Sequence, residues 1–403
     1  MEGKEEQALN GAVETLRESI GFKSIEIHLD HSHKVFNSGH DISGNVYLSI
    51  SEPVHAFGIR VKCKGEAQVY FTDRSAGIRR KFYADETYIH KEIYLAGDGK
   101  KKSVVTGGCY PFSFKLPENL PGSFEGRYGR VRYSIRALLD ITKVYRFSTN
   151  IIPFTVSPIL DLNLDTHATL PASEQQSKIY VGQTEPINLS MSLPVRGFVP
   201  GQTIPIKIIF KNSSGVLVTK LRIVFKKVVT YRSTEKSRKH KEIVVEIEQQ
   251  VEKDTETYDV IFDVPAVPPT GMVHCKIINV MYTLKVESCV DVSEWYYRMF
   301  QKNLKLRTGI IIGTVPLKNY QDPQGISNVL PSGESTIFEG SQELAREMTK
   351  FAAPVYEKSQ IYRSSKPDKD DPTGDDGDSD GEVKPYSPMY RVYKFGESKT
   401  SVN

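Results

Sequence analysis

The 403-residue chain is poor in the features that mark disulfide scaffolds, membrane spans and most enzymes. Its four cysteines, Cys63, Cys109, Cys275 and Cys289, include no pair at two-residue separation, so no zinc ribbon or redox pair is encoded and reduced thiols are expected. No stretch reaches the roughly 18 uninterrupted apolar residues of a membrane span, and the N-terminal segment lacks the apolar centre of a signal peptide. A soluble, cytosolic protein is the expectation. A nucleophile elbow, a phosphate-cradling glycine loop and a His-Glu metal helix each have a recognisable spacing, and none occurs. Neither catalysis nor a cofactor is expected. His28, His31, His33 and His40 lie close enough together to suggest a metal site. However, His28 falls on an alternating strand and His31 and His33 on the turn after it, so no metal is expected. The basic residues form scattered clusters, the net charge is only +4 and no nucleic-acid motif accompanies them, which argues against nucleic acid as a partner.

What is present is a core and a repeat. Hydrophobic residues make up 39% of the chain, and with the 29 glycines the apolar share reaches the globular range of about 45–50%. From Phe22 to Pro316 short runs alternate with period two, as in Ile25-Ile27-Leu29, Val131-Tyr133-Ile135 and Ile204-Ile206-Ile208, and no long amphipathic helix interrupts them. At a shift of 162 residues, Phe36, Gly39, Ile42, Val46, Ile59, Arg60, Val61 and Lys64 fall on Phe198, Gly201, Ile204, Ile208, Leu221, Arg222, Ile223 and Lys226. At a shift of 148, Phe114, Pro117 and Pro121 fall on Phe262, Pro265 and Pro269. The fold class is therefore all-β: two tandem antiparallel, immunoglobulin-like β-sandwiches. The expected organisation is an extension at 1–21, a first sandwich at 22–160, a linking segment at 161–186, a second sandwich at 187–317 and a tail at 318–403. Leu9, Val13, Leu16 and Ile20 suggest a short amphipathic helix in the extension, and a second short helix is expected around Gln342–Phe351.

Charge divides along the same line. Residues 1–315 hold 42 Lys/Arg against 34 Asp/Glu, and residues 316–403 hold 11 against 15. The stretch Pro367–Val383 contains eight acidic residues, three glycines and two prolines, so the tail is expected to be mostly disordered. The densest basic cluster, Lys226, Lys227, Arg232, Lys236, Arg238 and Lys239, suits an acidic partner: anionic lipid headgroups such as phosphoinositides, a phosphorylated membrane-protein tail, or the chain's own acidic segment. In the tail, Tyr386-Ser387-Pro388-Met389 fits a Tyr-x-x-bulky-apolar sorting pattern. Pro354-Val355-Tyr356 and Pro388-Met389-Tyr390 each place a tyrosine two residues after a proline. Thr373 and Ser379, each followed by acids, suit phosphorylation by an acid-directed kinase.

The run Leu116-Pro117-Glu118-Asn119-Leu120-Pro121-Gly122-Ser123-Phe124-Glu125-Gly126, with Gly129, Val131, Arg132 and Tyr133 after it, resembles the N-domain signature of the arrestins. Leu160-Asp161-Leu162-Asn163, Pro268-Pro269 ahead of Cys275, and Ile311-Ile312-Gly313-Thr314-Val315-Pro316-Leu317 resemble the same family, and together these cover about residues 22–317. The Gly-rich segment before Cys109 favours the α branch, the arrestin-domain-containing proteins. The resemblance implies two cupped sandwiches and a non-enzymatic adaptor, recruited to plasma membrane or endosomes, that binds membrane-protein tails and endocytic or sorting machinery and promotes ubiquitin-dependent transport. In many members a tail Pro-Pro-x-Tyr motif recruits HECT-type ubiquitin ligases. Here Ala353 and Ser387 replace the first proline, which weakens the fit to a WW groove. The alternative is a ubiquitin-independent signalling scaffold whose acidic tail folds back as a phosphorylation-sensitive latch.

Overall fold

A computed structural model describes residues 21–75, 78–290, 303–320, 323, 354–359 and 386–394. The first sandwich consists of β1 (Phe22–Leu29), β2 (Val35–Asn37), β3 (Asp41–Ile50), β4 (Val54–Ala56), β5 (Gly58–Ser75), β6 (Ile78–Gly97), β7 (Ser103–Val105), β8 (Gly108–Lys115), β9 (Phe124–Gly126), β10 (Gly129–Asp140), β11 (Arg146–Ser148) and β12 (Ile152–Ser157). The second consists of β13 (Ala172–Lys178), β14 (Ile187–Leu193), β15 (Gly197–Phe198), β16 (Thr203–Asn212), β17 (Val218–Arg232), β18 (Ser237–Gln250), β19 (Thr257–Asp263), β20 (Ile278–Val290) and β21 (Leu304–Ile312). Two tail strands follow, β22 (Val355–Lys358) and β23 (Met389–Val392). The helices expected in residues 1–21 and 342–351 lie outside the described residues, as do Thr373, Ser379 and the acidic run.

The sequence repeat is a repeat of topology. One sheet runs β1-β3-β8 in the first sandwich, and its counterpart runs β13-β14-β16-β19 in the second. The facing sheet runs β2-β12-β10-β5-β6 and recurs as β15-β21-β20-β17-β18. Both copies even share their parallel pair, β2 with β12 and β15 with β21, among otherwise antiparallel neighbours. Alternation decides the faces: Ile42, Val46 and Leu48 of β3, and Ile204, Ile206 and Ile208 of β16, turn into the core. Each such side chain, fully buried, stabilises the fold by roughly 1.5–3 kcal/mol.

Three strands differ from the sequence reading. β6 and β18, which lie outside the alternating runs singled out in the sequence, are long strands: β6 pairs with β5 from Ile78 to Gly97, and β18 pairs with β17 from Ser237 to Gln250. Both are edge strands with a charged outer face, and although Phe82, Tyr88, Ile93, Val245 and Ile247 pack against the core, register shifts in each pairing break the period-two pattern that would mark them. β13, inside the expected linking segment, is likewise a polar edge strand, paired with β14 throughout.

The prolines at the repeated corner have a structural partner. Tyr133 on β10 donates its hydroxyl to the carbonyl of Pro121 at 2.6 Å, and Tyr282 on β20 donates to that of Pro268 at 2.6 Å. A proline carbonyl has no ladder role where a strand leaves the sheet, and a buried phenol needs an acceptor, so each satisfies the other.

Candidate functional site

The six basic residues of the predicted acidic-partner cluster fall on two different surfaces. Strand alternation is the reason. On β17, Lys226 turns outward and Lys227 inward, and the outward set continues on β18 with Lys239 and Lys241, opposite Thr230 and Val228.

The inward and hairpin-tip residues build the seam between the sandwiches. Lys227 is 1% exposed, and its ammonium lies 2.7 Å from the Glu242 carboxylate and 5.9 Å from the ring centroid of Phe124, in the first sandwich. Lys236 pairs with Asp73 of β5. Arg238 donates to the carbonyl of Thr72 at 2.7 Å and stacks over Tyr128 at 4.5 Å. Arg232 stays within its own sandwich, donating to the carbonyl of Lys276 at 3.0 Å. Tyr128 also meets Tyr231 and His240 edge-on, each with ring centroids 5.7 Å apart. Gly126 makes this approach feasible, since a Cβ there would sit 2.2 Å from the Tyr231 hydroxyl.

Burial lowers the His240 pKa, with Arg127, Lys227 and Arg238 pushing the same way and Glu242 opposing. The folded state therefore binds fewer protons than the unfolded chain, whose histidine titrates near about 6.5. Stability present above that value is lost as the pH falls through it. Between about pH 7.5 and 5.5 the native chain should lose more stability than His240→Gln, measured by urea midpoints at each pH. Parallel losses in the two proteins would show that His240 does not carry the effect.

The outward residues form a diagonal stripe. Lys241 on β18, Lys226 and Arg222 on β17, Lys285 on β20 and Arg307 on β21 share one face, with Lys285 directly opposite both Val224 and Arg307. Burial lowers the Lys226 pKa, reinforced by Lys285, Arg222, Lys241 and Arg307. Arg222 pairs with Glu246, and Lys285 with Glu287. Among the described residues Lys226, Lys239, Lys241 and Arg307 carry no ion pair. The corresponding face of the first sandwich is neutralised: Arg60 binds Asp140 and Glu92, Lys62 binds Glu92, and Lys64, the counterpart of Lys226, lies 2.9 Å from Glu66. Around the stripe, Met281 and Ile243 are exposed, and a Cβ at Gly309 would meet nothing within 4 Å. The stripe can therefore receive an anionic group beside an apolar one.

The tail segments are also brought together. β22 and β23 pair antiparallel, with Tyr356 opposite Arg391 and Glu357 opposite Tyr390, so the two proline–tyrosine segments lie side by side. Tyr386 shares a 2.7 Å hydrogen bond with the Thr155 hydroxyl, which also accepts from the Met389 N–H at 3.2 Å. Burial pushes the Tyr386 phenol up to about 12 despite its hydrogen bonds to Thr155 and Ser123. Pro388 and Tyr390 are buried, and Pro354, Tyr356, Tyr386 and Met389 are partly so. Of the clustered histidines, His28 lies 3.3 Å from Glu26 and edge-on to Tyr47, and His31 packs against Phe36.

Residues 25–163 match the arrestin (or S-antigen) N-terminal domain family, and residues 183–317 match the arrestin (or S-antigen) C-terminal domain family. The chain belongs to the arrestins, in their α branch. This α-arrestin is 27% identical over 319 residues to arrestin domain-containing protein 17 of Caenorhabditis elegans, a match spanning 72% of this chain and 70% of that protein. It is 27% identical over 308 residues to arrestin domain-containing protein 4 of Mus musculus, spanning 72% and 71% respectively. With arrestin domain-containing protein 1 of Rattus norvegicus it shares 25% over 273 residues, spanning 65% and 60%. An arrestin-type adaptor role follows in general terms. Of the residues on this candidate stripe and its outward continuation, the sequence cluster contains Lys226 and Lys239 and leaves out Lys241, Arg222, Lys285 and Arg307. The signal for the last two lay in strand register, which brings β20 and β21 beside β17.

Proposed function

We propose that this α-arrestin is a non-enzymatic cytosolic adaptor that binds acidic, phosphorylated cytoplasmic tails of membrane proteins and delivers them to endocytic or sorting machinery. The observation that carries this reading is the diagonal basic stripe, whose unpaired cations contrast with the neutralised face of the first sandwich. Charge-assisted contacts from lysine and arginine suit phosphate and carboxylate groups, and the exposed Met281 and Ile243 offer an apolar neighbour for a peptide side chain. The test is binding of an acidic phosphopeptide to the full chain and to a triple variant, Lys226→Glu, Lys241→Glu and Arg307→Glu. Three surface cations at about 1 kcal/mol each correspond to a loss of roughly a hundredfold, with unchanged thermal stability. Undiminished binding by the variant would sink the proposal. Binding to anionic vesicles but not to the peptide would assign the stripe to lipid headgroups instead.

Ubiquitin-dependent transport through HECT-type ligases is the less favoured route, because both tail segments lack the first proline and Tyr390 is buried against the body. That burial favours the second reading, a ubiquitin-independent scaffold. WW domains that capture the full chain at micromolar concentration, and lose it on Tyr356→Ala or Tyr390→Ala, would restore the ligase route.

A further inference from the structure

β19 is the last strand of its sheet, and among the described residues no strand pairs with its far side. Register decides which backbone groups that side holds. Ile261 stands opposite Pro205, which has no N–H to give, so this pair makes no ladder bonds and the Ile261 N–H and C=O point away from β16. Parity agrees in both directions: Phe210 donates to the carbonyl of Glu256 at 2.8 Å and Val264 to that of Gln202 at 2.9 Å, each an odd number of residues from the Ile261 pair. Asp259 and Asp263 share the orientation of Ile261, and all three side chains lie on the outer face, where Ile261 is 54% exposed. The same face holds a pocket of about 380 Å³ lined by Leu193, Pro194, Pro205, Lys207, Asp259 and Ile261. Lys207 stands opposite Asp259 on the ladder, yet among the described residues neither carries an ion pair. The first sandwich closes the equivalent edge. The shift that sets Phe114 on Phe262 sets Pro111 on Asp259 and Lys115 on Asp263, and the ladders agree, with Pro111 opposite Asn45 as Asp259 is opposite Lys207. A proline whose missing N–H faces outward blocks an edge strand, and the second sandwich keeps the donor.

We propose that the β19 edge is a docking site for an extended segment of a partner protein, which joins the sheet as a further strand and carries a basic, an apolar and a basic residue at alternate positions. The outward N–H and C=O groups of Asp259 and Ile261 hold the partner's main chain, and the side chains on the outer face select its sequence. Basic residues fall opposite Asp259 and Asp263, and the apolar residue falls opposite Ile261 and reaches over it toward the pocket. Asp263 already accepts from the Thr203 hydroxyl at 2.7 Å, which leaves its remaining lone pairs for a cation. A second copy of β19 fits poorly, because it would bring the same acids to the same edge, so the charges that oppose self-association favour a basic partner. This edge belongs to the β13-β14-β16-β19 sheet, whereas the basic stripe lies on the facing one, so the second sandwich would hold partners of opposite charge on its two sheets.

A labelled peptide, Thr-Lys-Thr-Leu-Thr-Lys-Thr, tests this on the full chain by fluorescence anisotropy, with amide hydrogen exchange as a second readout. In the free chain the amides of Tyr258, Val260 and Phe262, bonded to β16, should be protected, and those of Asp259 and Ile261 should exchange freely. The peptide should protect Asp259 and Ile261. Asp259→Pro transplants the first sandwich's proline to a position whose N–H makes no bond to β16, and should weaken binding by roughly tenfold or more. The same peptide methylated at the nitrogens that face β19 should lose as much, and it leaves the protein untouched. Asp259→Lys should shift preference by roughly tenfold toward the peptide with glutamate in place of lysine. Binding that survives backbone methylation, equal affinity of the native chain for the lysine and glutamate peptides, Asp259 and Ile261 amides already protected in the free chain, or no binding at about 1 mM peptide would each overturn the proposal.

Discussion

Lys227→Ala is expected to cost about 3 kcal/mol of stability or more, read from urea unfolding of the full chain. The Lys227 side chain is 2% exposed and its partner Glu242 only 19%, so removing the ammonium leaves a carboxylate largely shielded from water without its nearest cation. The remaining basic neighbour, His240, lies 3.6 Å from Glu242 and has its pKa lowered by burial, so it is a poor substitute. Lys227→Met preserves most of the stem packing but strands the same carboxylate, and is expected to be nearly as costly. The double variant Lys227→Met with Glu242→Gln should recover most of the loss, because replacing both partners of a buried pair is far cheaper than removing one. The coupling from this double-mutant cycle measures the pair itself. A single variant of unchanged stability that loses only partner binding would put Lys227 on the binding surface after all. Screens that mutate the whole basic cluster at once would confuse the two roles, since Lys227, Lys236 and Arg238 hold the seam while Lys226 and Lys239 face outward.

That confusion marks the boundary of what one sequence discloses. The β-sandwich pair was legible because alternation is local and the repeat is long: Phe36 and Phe198, Ile42 and Ile204, and Arg60 and Arg222 occupy equivalent strands in equivalent sheets. β6, β13 and β18 were not legible as strands, because β13 is polar almost throughout and register shifts interrupt the alternation of β6 and β18. Clustering in sequence also misled. Six basic residues within fourteen positions looked like one patch, yet neighbours on a strand point to opposite faces, and Lys226 and Lys227 part company for that reason alone. Conversely, Lys226 and Arg307 lie 81 positions apart and join one stripe through two intervening strand pairings. In sequence the tail presents two short linear motifs. Their mutual pairing joins segments about thirty residues apart, and their hydrogen bonds to Thr155 and to the carbonyl of Pro200 reach both sandwiches; neither leaves a mark in the motif itself.

The repeated tyrosine corner carries the other large expected effect. Tyr133→Ala and Tyr282→Ala should each cost about 4 kcal/mol in unfolding free energy, the usual range for emptying a buried aromatic site, and each also leaves a proline carbonyl unsatisfied. Tyr133→Phe and Tyr282→Phe should cost about 1–2 kcal/mol apiece, similar in the two copies because both phenols are 2% exposed or less and both donate at 2.6 Å. The strand position opposite the ring is where the copies diverge. Gly65 stands opposite Tyr133, and a Cβ there would lie 2.5 Å from the ring, whereas the residue opposite Tyr282 is Lys227. Gly65→Ala must therefore push a fully packed ring and should destabilise by about 1–3 kcal/mol. A neutral Gly65→Ala would mean that the first corner can yield as the second has done. A costly one would mean that the room needed for an inward lysine, and with it the ion pair at the seam, belongs to the second sandwich alone.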